Sequence, residues 1–411
     1  MSCLKILYIV GTCLTKNTSA NMSHNAFVQG FLENNCQVDI IMKTDSWGAS
    51  DNRLKKYEKA KYFEYDSVSF SERLRRKTRT VIQSEQICKS SEVESNVTPS
   101  FKQRIRGIGK SIFYKVFRND PVYVNDAKWL KTAARFRSDS QYDIVVSNSS
   151  PAASHKLALK LITLGRIKTN RWIQIWEDPW FYDLYSNHLE AVRSEEHLLL
   201  QSASEIYYVS PLTCMYQKQL FNDCADKMKS ISLPFLDYSD SAHMYAYEND
   251  SFGYFGDYYS ITRNIIPFYE ALVEGKYRGY IFGDNDLSLK STDRIQVSER
   301  VTLDVLTTIQ EKTEVLVHLS NLRGGQIPGK IYHYSATTKP ILFILDGNEE
   351  EKSILREYFG KYDRFYFCEN NKQSILEKMN LISRERERHW NPVDEFCPRN
   401  VVNKIIFDKT R

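Results

Sequence analysis

Short apolar runs recur along this chain in two sets, each alternating with stretches of helical amphipathic spacing. The first set opens with Leu4-Lys5-Ile6-Leu7-Tyr8-Ile9-Val10 and continues through Val38–Met42, Ile144–Ser147, Trp172–Ile175 and Ile206–Val209, with helices fitting between them at Asn25–Asn34 and Ala153–Leu164. Runs this short and this apolar suit strands buried on both faces, which is the condition of a parallel sheet covered by helices. The pattern predicts an α/β, Rossmann-like domain over residues 1–232. Residues 233–250 are rich in Tyr, Ser and Asp, lack helical periodicity and read as a linker. The alternation then resumes with strands at Phe252–Phe255, Gly279–Phe282, Val315–Leu319 and Pro340–Leu345, and helices at Asn264–Val273, Lys330–Ser335 and Glu350–Phe359. These predict a second, smaller Rossmann-like domain over residues 251–391. Between Asp51 and Asn125 the rhythm fails and charged residues dominate, so residues 51–125 read as a partly helical insertion.

The 411 residues are 42% hydrophobic, enough for two cores and too many for a disordered chain. The net charge of +5 is unevenly spread: 17 Lys and Arg stand against 8 Asp and Glu from Asp51 to Arg118, and the rest of the chain is slightly acidic. Within this basic segment Phe101, Ile105, Ile108, Ile112, Phe113, Val116 and Phe117 recur at helical spacing, with Lys102, Arg104, Arg106, Lys110, Lys115 and Arg118 between them. A cationic amphipathic helix of this kind suits an anionic membrane surface, the alternative being a solvated surface helix packed on the first domain. No nucleic-acid recognition motif accompanies the charge, so no nucleic-acid partner is expected. The eight cysteines show no CxxC pair and no Cys/His zinc spacing, and read as reduced thiols. No run is long enough to span a membrane. A cytoplasmic location, peripheral on the inner face of the cell membrane, is the expectation.

The most specific stretch is Gln326-Ile327-Pro328-Gly329-Lys330-Ile331-Tyr332-His333-Tyr334-Ser335-Ala336-Thr337-Thr338-Lys339-Pro340. A glycine loop, a helix of about two turns and a Lys-Pro pair lead into a hydrophobic strand. Loop and helix start would offer backbone N–H groups to an anion and Lys330 a point charge, whereas the plainer reading is a connection punctuated by Gly and Pro. In type and spacing the stretch resembles the donor-binding motif of GT-B glycosyltransferases, family four (glycosyl transferases group 1), Pro-Ser/Gly-Lys-x-x-Glu-Tyr-x-Ala-x-x-Lys-Pro. Phe252-Gly253-Tyr254-Phe255-Gly256-Asp257-Tyr258-Tyr259 with Arg263-Asn264, and Tyr280-Ile281-Phe282-Gly283-Asp284, resemble the same family's first two strands and loops of the C-terminal domain. Ser147-Asn148-Ser149-Ser150-Pro151 with His155, and Trp176-Glu177-Asp178-Pro179-Trp180, resemble strand ends of bacterial members.

The resemblance implies a GT-B fold, two Rossmann-like domains facing each other across a cleft, with residues 392–411 crossing back to the first domain as a helix through Val401, Val402, Ile405 and Ile406. It implies transfer of a sugar from a nucleotide-diphosphate donor, UDP or GDP type, to a lipid-linked glycan in bacterial surface polysaccharide synthesis (O-antigen, capsule or exopolysaccharide), with retention. No cofactor is expected, and no metal, because the donor motif has no cluster of carboxylates suited to a hard divalent cation and has Arg263 and Lys330 for the phosphate charge instead. Donor-binding candidates are Arg263 and Lys330 for the diphosphate, the Gly324, Gly325 and Gly329 backbone, His333 for the ribose, Gly256, and Tyr258 and Tyr259 for stacking a sugar. Asp178 is the first candidate for acceptor base or orienting carboxylate, with Glu177 and His155 as alternatives. Two departures stand out. The family's pair of glutamates is replaced by Gly325 and His333, which keeps open a catalytically silent protein that binds a glycan or a partner. The glycine loop after the first strand is replaced by Thr15-Lys16-Asn17-Thr18-Ser19-Ala20-Asn21.

Overall fold

A computed structural model describes residues 3–46, 49–50, 54–67, 122–184, 188–236, 247–386, 388 and 390–407. The basic amphipathic stretch, with Lys102, Arg104, Arg106, Lys110, Phe113, Lys115 and Phe117, lies outside these residues. The first set of apolar runs forms a seven-stranded parallel sheet from β1 (Lys5–Val10), β2 (Gln37–Lys43), β3 (Ala60–Tyr65), β4 (Ile144–Asn148), β5 (Trp172–Trp176), β6 (Glu205–Tyr208) and β7 (Met228–Ser230), in the order β7-β6-β5-β4-β1-β2-β3. Ile6 of β1 lies beside Val38 on one side and Ile144 on the other. Helices α1 (Ser19–Glu33), α2 (Ala127–Ala133), α3 (Ala153–Thr163), α4 (Glu190–Ser202) and α5 (Pro211–Leu220) cover it. The second set forms a six-stranded parallel sheet from β8 (Glu248–Phe255), β9 (Arg278–Phe282), β10 (Ile295–Ser298), β11 (Thr313–Leu319), β12 (Ile341–Leu345) and β13 (Phe365–Glu369), ordered β10-β9-β8-β11-β12-β13. Around it lie α6 (Ile266–Gly275), α7 (Leu303–Lys312), α8 (Lys330–Tyr334), α9 (Glu349–Gly360) and α10 (Lys372–Arg384), and the closing helix α11 (Pro398–Phe407) packs on the first domain.

The α/β rhythm continues into the segment read as an insertion. β3 pairs along its whole length with β2, Ile40 opposite Tyr62 and Ile41 opposite Phe63. Its sequence Ala-Lys-Tyr-Phe-Glu-Tyr has no continuous apolar run because an edge strand has only one neighbour and keeps polar groups at the rim. Phe63 nonetheless packs edge-on against Phe136, 4.8 Å between ring centres. Edge position also explains β13, whose residues alternate between buried and half-buried.

Strand order reverses between β1 and β4 in the first sheet and between β8 and β11 in the second. Crevices at such reversals, beyond the carboxyl ends of the strands, are where parallel sheets bind ligands. The two domains are firmly docked. One apolar cluster joins Val209, Leu212, Ile231 and Leu233 of the first to Ile331, Tyr332, Phe343 and Phe359 of the second. The chain then returns: α11 lies on α1, so close that a Cβ on Gly30 would stand 2.2 Å from the Pro398 carbonyl oxygen. Arg171 fixes the end of α11 by donating to the carbonyls of Ile405 (2.7 Å) and Ile406 (3.0 Å) while its guanidinium pairs with Glu205.

The Lys-Pro pair has a clear structural task. The Lys339 ammonium is buried and donates to the carbonyls of Gln310 (2.5 Å), Glu311 (2.7 Å) and Thr313 (2.6 Å), satisfying acceptors left open at the end of α7. Pro340, which has no N–H, starts the hydrophobic strand. Replacing Lys339→Met strands three carbonyls under the sheet edge; urea unfolding is expected to show a loss of roughly 2–3 kcal/mol, the range for charged hydrogen bonds left unmade.

Candidate active site between the two sheets

On the second domain, the loop after β8 and the loop before α8 meet at the strand-order reversal. One backbone link holds them together, Leu322 N–H to Thr262 O (2.7 Å), and Arg263 N–H to Tyr259 O (2.8 Å) folds the first of these loops on itself. Asn370, after β13, donates to the Asn264 carbonyl (2.9 Å) and to Asp346 (2.7 Å) and so steadies the turn that carries Arg263. Arg263 Nε is buried without a hydrogen-bond partner among the described residues. Lys330, the first residue of α8, lies near it. Burial, opposed by Asp257 and reinforced by Arg300 and Arg263, brings its ammonium down to about 8. Arg300 is already neutralised, paired with Asp257 and, at 2.9 Å, with Asp284. Lys330 and Arg263 therefore leave a net positive charge in a partly desolvated spot. His333 stands one turn-step beyond Lys330, half-buried, and burial together with the Lys330 charge pulls its imidazole down to about 4. It is a neutral ring at physiological pH, able to donate from one nitrogen and accept at the other.

Three expectations for the donor side change. α8 has five residues, and its Ile331 and Tyr332 N–H groups already bond Pro328 and Gly329 carbonyls, so attraction for an anion rests on side-chain cations rather than on a helix dipole. The Gly256 N–H is taken by the Phe282 carbonyl (2.9 Å). Tyr258 is fully buried, edge-on to Tyr254 at 6.0 Å, and belongs to the core; Tyr259 alone of the pair is partly exposed.

On the first domain, Ser149 and the Glu177-Asp178 pair follow β4 and β5. Asp178 Oδ1 accepts from Gln326 Nε2 at 2.6 Å, and the same amide reaches Asp183 (3.0 Å) while its carbonyl accepts the Leu184 N–H (3.2 Å). One side chain thus clasps the loop after β5 to the loop before α8. Burial lifts the Asp178 carboxyl to about 6, opposed by the Gln326 amide. Glu177, its side chain 11% exposed, lies 3.4 Å from His24 Nδ1. Burial and the neighbouring Asp178 charge hold Glu177 well above the carboxylate range, and burial takes His24 down to about 3. His24 is therefore a neutral ring near pH 7. The line continues from His24 to the Tyr8 hydroxyl (3.4 Å), which accepts from Asn148 Nδ2 (2.8 Å). His155 does not join it. It is completely buried, bonded to Ser147 Oγ at 2.7 Å and packed 4.1 Å from Trp176 with the rings tilted by 36°, so it is a packing residue with no access to the crevice.

Sequence reading passed over His24, Gln326 and Arg300. The available signal for His24 was the polar run Asn21-Met22-Ser23-His24-Asn25 at the start of a helix that should be apolar on its inner face. Asn21, Ser23, His24 and Asn25 are buried, and the two asparagines hold the polar loop after β1: Asn21 accepts from Thr12 (2.6 Å) and donates to Cys13 (2.9 Å) and Lys16 (2.7 Å) carbonyls, and Asn25 donates to Leu14 (2.9 Å).

Glycines make the closure possible. The Gly325 carbonyl accepts from Ser210 (2.5 Å) and Thr213 (2.8 Å) at the start of α5, and a Cβ there would lie 2.6 Å from the Thr213 backbone nitrogen. Gly324, with φ +84°, would press a Cβ 2.7 Å from Leu184, and Gly329 faces Leu233. No carboxylate fits at position 325 in this arrangement.

The architecture matches solved glycosyltransferase structures over nearly the whole chain. The catalytic domain of Arabidopsis thaliana starch synthase IV, bound to ADP and acarbose, aligns with TM-score 0.56 at 8% identity over 99% of this chain and 96% of its own. An alpha-glucosyltransferase in complex with UDP and a 13-mer DNA aligns with TM-score 0.56 at 12% identity over 99% of each chain. Anabaena HepE in complex with UDP gives 0.50 at 11% identity over 98% and 94%. The fold is GT-B. No protein-family model and no curated protein sequence matches the chain.

Gly325→Ala should force the two loops apart. The expected result is a wider interdomain angle by small-angle scattering and a stability loss of about 1–3 kcal/mol, as for an overpacked contact.

Proposed function

We propose that the chain is a glycosyltransferase that moves a sugar from a nucleotide-diphosphate donor, UDP or GDP type, to a lipid-linked glycan in bacterial surface polysaccharide synthesis. The observation that carries this reading is the cluster of Lys330, Arg263 and Arg300, whose three cations exceed the two carboxylates Asp257 and Asp284 by one positive charge, set at the sheet reversal of a GT-B fold. The acceptor oxygen bonds to the anomeric carbon as the bond from that carbon to the diphosphate oxygen breaks, and the electron pair leaves with the diphosphate. Lys330 and Arg263 stabilise the charge that develops there, an effect worth most where water is excluded. Asp178 takes or orients the acceptor proton, Glu177 and His24 support it as hydrogen-bonding groups, and His333 holds a ribose hydroxyl. Retention of configuration and independence from metal complete the reading.

A second reading, a silent GT-B protein that binds a glycan or partner enzyme, draws on position 325, where no side chain fits. Transfer assays on purified protein with UDP- and GDP-sugars separate the two. The catalytic reading expects a bell-shaped kcat/KM. Its acid limb lies near pH 6, because Asp178 serves as a base only when ionised; its alkaline limb lies near pH 8, because nucleotide binding weakens as Lys330 loses its proton. Asp178→Asn should abolish the acid limb with at least a roughly 100-fold rate loss, and Lys330→Met the alkaline limb with a similar loss of UDP or GDP affinity. Nucleotide binding without turnover of any donor would favour the silent protein.

The membrane part of the proposal rests on the spacing of residues 101–118. Among the described residues no helix is long and apolar enough to cross a membrane. The protein should float with vesicles containing anionic lipid at moderate salt, and Lys102→Glu, Arg104→Glu and Arg106→Glu together should abolish flotation. Binding to a generic DNA duplex in place of vesicles would instead assign the basic segment to nucleic acid.

A further inference from the structure

Far from the cleft, α4 and the 3-10 turn Asn222–Lys227 bring together an imidazole, a carboxylate and a thiol. The turn leads into β7, so it sits at the amino ends of the strands, opposite the sugar-transfer site. His197 Nε2 lies 2.9 and 2.8 Å from the two oxygens of Asp223, and ligand atoms of His197, Asp223 and Cys224 all fall within 4.8 Å of one another. Among the described residues no other group of three His, Cys, Asp or Glu does so.

We propose that His197, Asp223 and Cys224 form a zinc site that ties α4 to the turn before β7. A nitrogen, oxygen and sulfur donor set suits Zn²⁺, whereas Mg²⁺ and Ca²⁺ call for oxygen alone. Tetrahedral zinc with ordinary bond lengths holds its ligand atoms roughly 3.3–3.8 Å apart. The trio therefore has to draw in by about an ångström on the thiol side, and the metal enters between His197 and Asp223 in place of their hydrogen bond. Binding releases the Cys224 thiol proton to water, moves the His197 ring proton to Nδ1, and leaves the fourth position to water.

The surroundings hold these groups ready. Phe221 stacks on the His197 ring at 5.3 Å with 21° between planes, and Gln201 Nε2 donates to Asp223 at 3.0 Å. Lys227 donates to the Gln201 (2.7 Å) and Ala203 (3.0 Å) carbonyls and pins the turn to the end of α4. Partners of this kind orient metal ligands and tune affinity. The His197 and Asp223 side chains are 36% and 47% exposed, which gives an ion a way in, while Cys224 closes the site from below.

Titration of the metal-free protein with Co²⁺ tests the site. One equivalent should produce a thiolate-to-cobalt charge-transfer band that one equivalent of Zn²⁺ removes. Cys224→Ser should lose the band. His197→Gln, a half-exposed change that leaves the core intact, should weaken binding at least as much as Gln201→Ala, for which about tenfold is expected. UDP affinity should not change in any of these variants, which separates this site from the donor site. Absence of the band, its survival in Cys224→Ser, or unchanged Co²⁺ affinity in His197→Gln overturns the proposal.

Discussion

The seating of the Gly325 carbonyl on the start of α5 is the constraint from which the interdomain geometry follows. Two hydroxyls, Ser210 and Thr213, converge on one oxygen, and the backbone behind them leaves no volume for a side chain. With that contact made, Gln326 necessarily lies over the loop after β5 and can engage Asp178, Asp183 and the Leu184 N–H together. A lone interdomain hydrogen bond contributes about 1 kcal/mol and would not hold two domains of this size. The apolar cluster running from Leu233 and Leu212 to Tyr332 and Phe359 supplies the bulk of the association, and the polar contacts decide its register.

Buried cations and polar side chains do similar work within each domain. Lys339 closes α7, and Arg364 gathers the carbonyls of Ser335 (3.1 Å), Thr337 (2.8 Å) and Asn391 (3.0 Å), so the segment after α8 and the segment that crosses back are held by one guanidinium. Burying such charges costs several kcal/mol, which three or more carbonyls around each offset, with Arg364 Nε left without a partner among the described residues. This gives the Lys-Pro part of the motif a structural reason independent of any ligand: it fixes the height at which α8 stands above the sheet.

The parallel sheets were legible because strands buried on both faces leave unbroken apolar runs, as in β1, β4, β5 and β12. Edge strands β3 and β13 were not, since their exposure removes that signal, and β3 was absorbed into an apparent insertion. Lys330 stands out in the sequence because a glycine loop ahead of a Lys-bearing turn is local. The clasp by Gln326 could not: its partners are 148 and 143 residues away. The same holds for His197 and Cys224, whose proximity depends on α4 packing beside the turn before β7 and not on any spacing along the chain.

The N-terminal crevice carries three titratable groups whose surroundings separate their charge states. Burial and the Asp178 charge push the Glu177 carboxyl well up, while Asp178, one residue on, is reached by an amide donor and is raised to about 6. Two adjacent carboxylates in a desolvated crevice cannot both carry charge cheaply, and the amide decides which one does. Gln326 comes from the domain that bears Lys330 and Arg263, so the ionisation of Asp178 depends on domain closure. Opening the cleft removes the amide donor and lets water in, two changes of opposite sign for the carboxylate. The charge on Asp178 is in this way linked to the contact that joins the loop after β5 to the loop before α8.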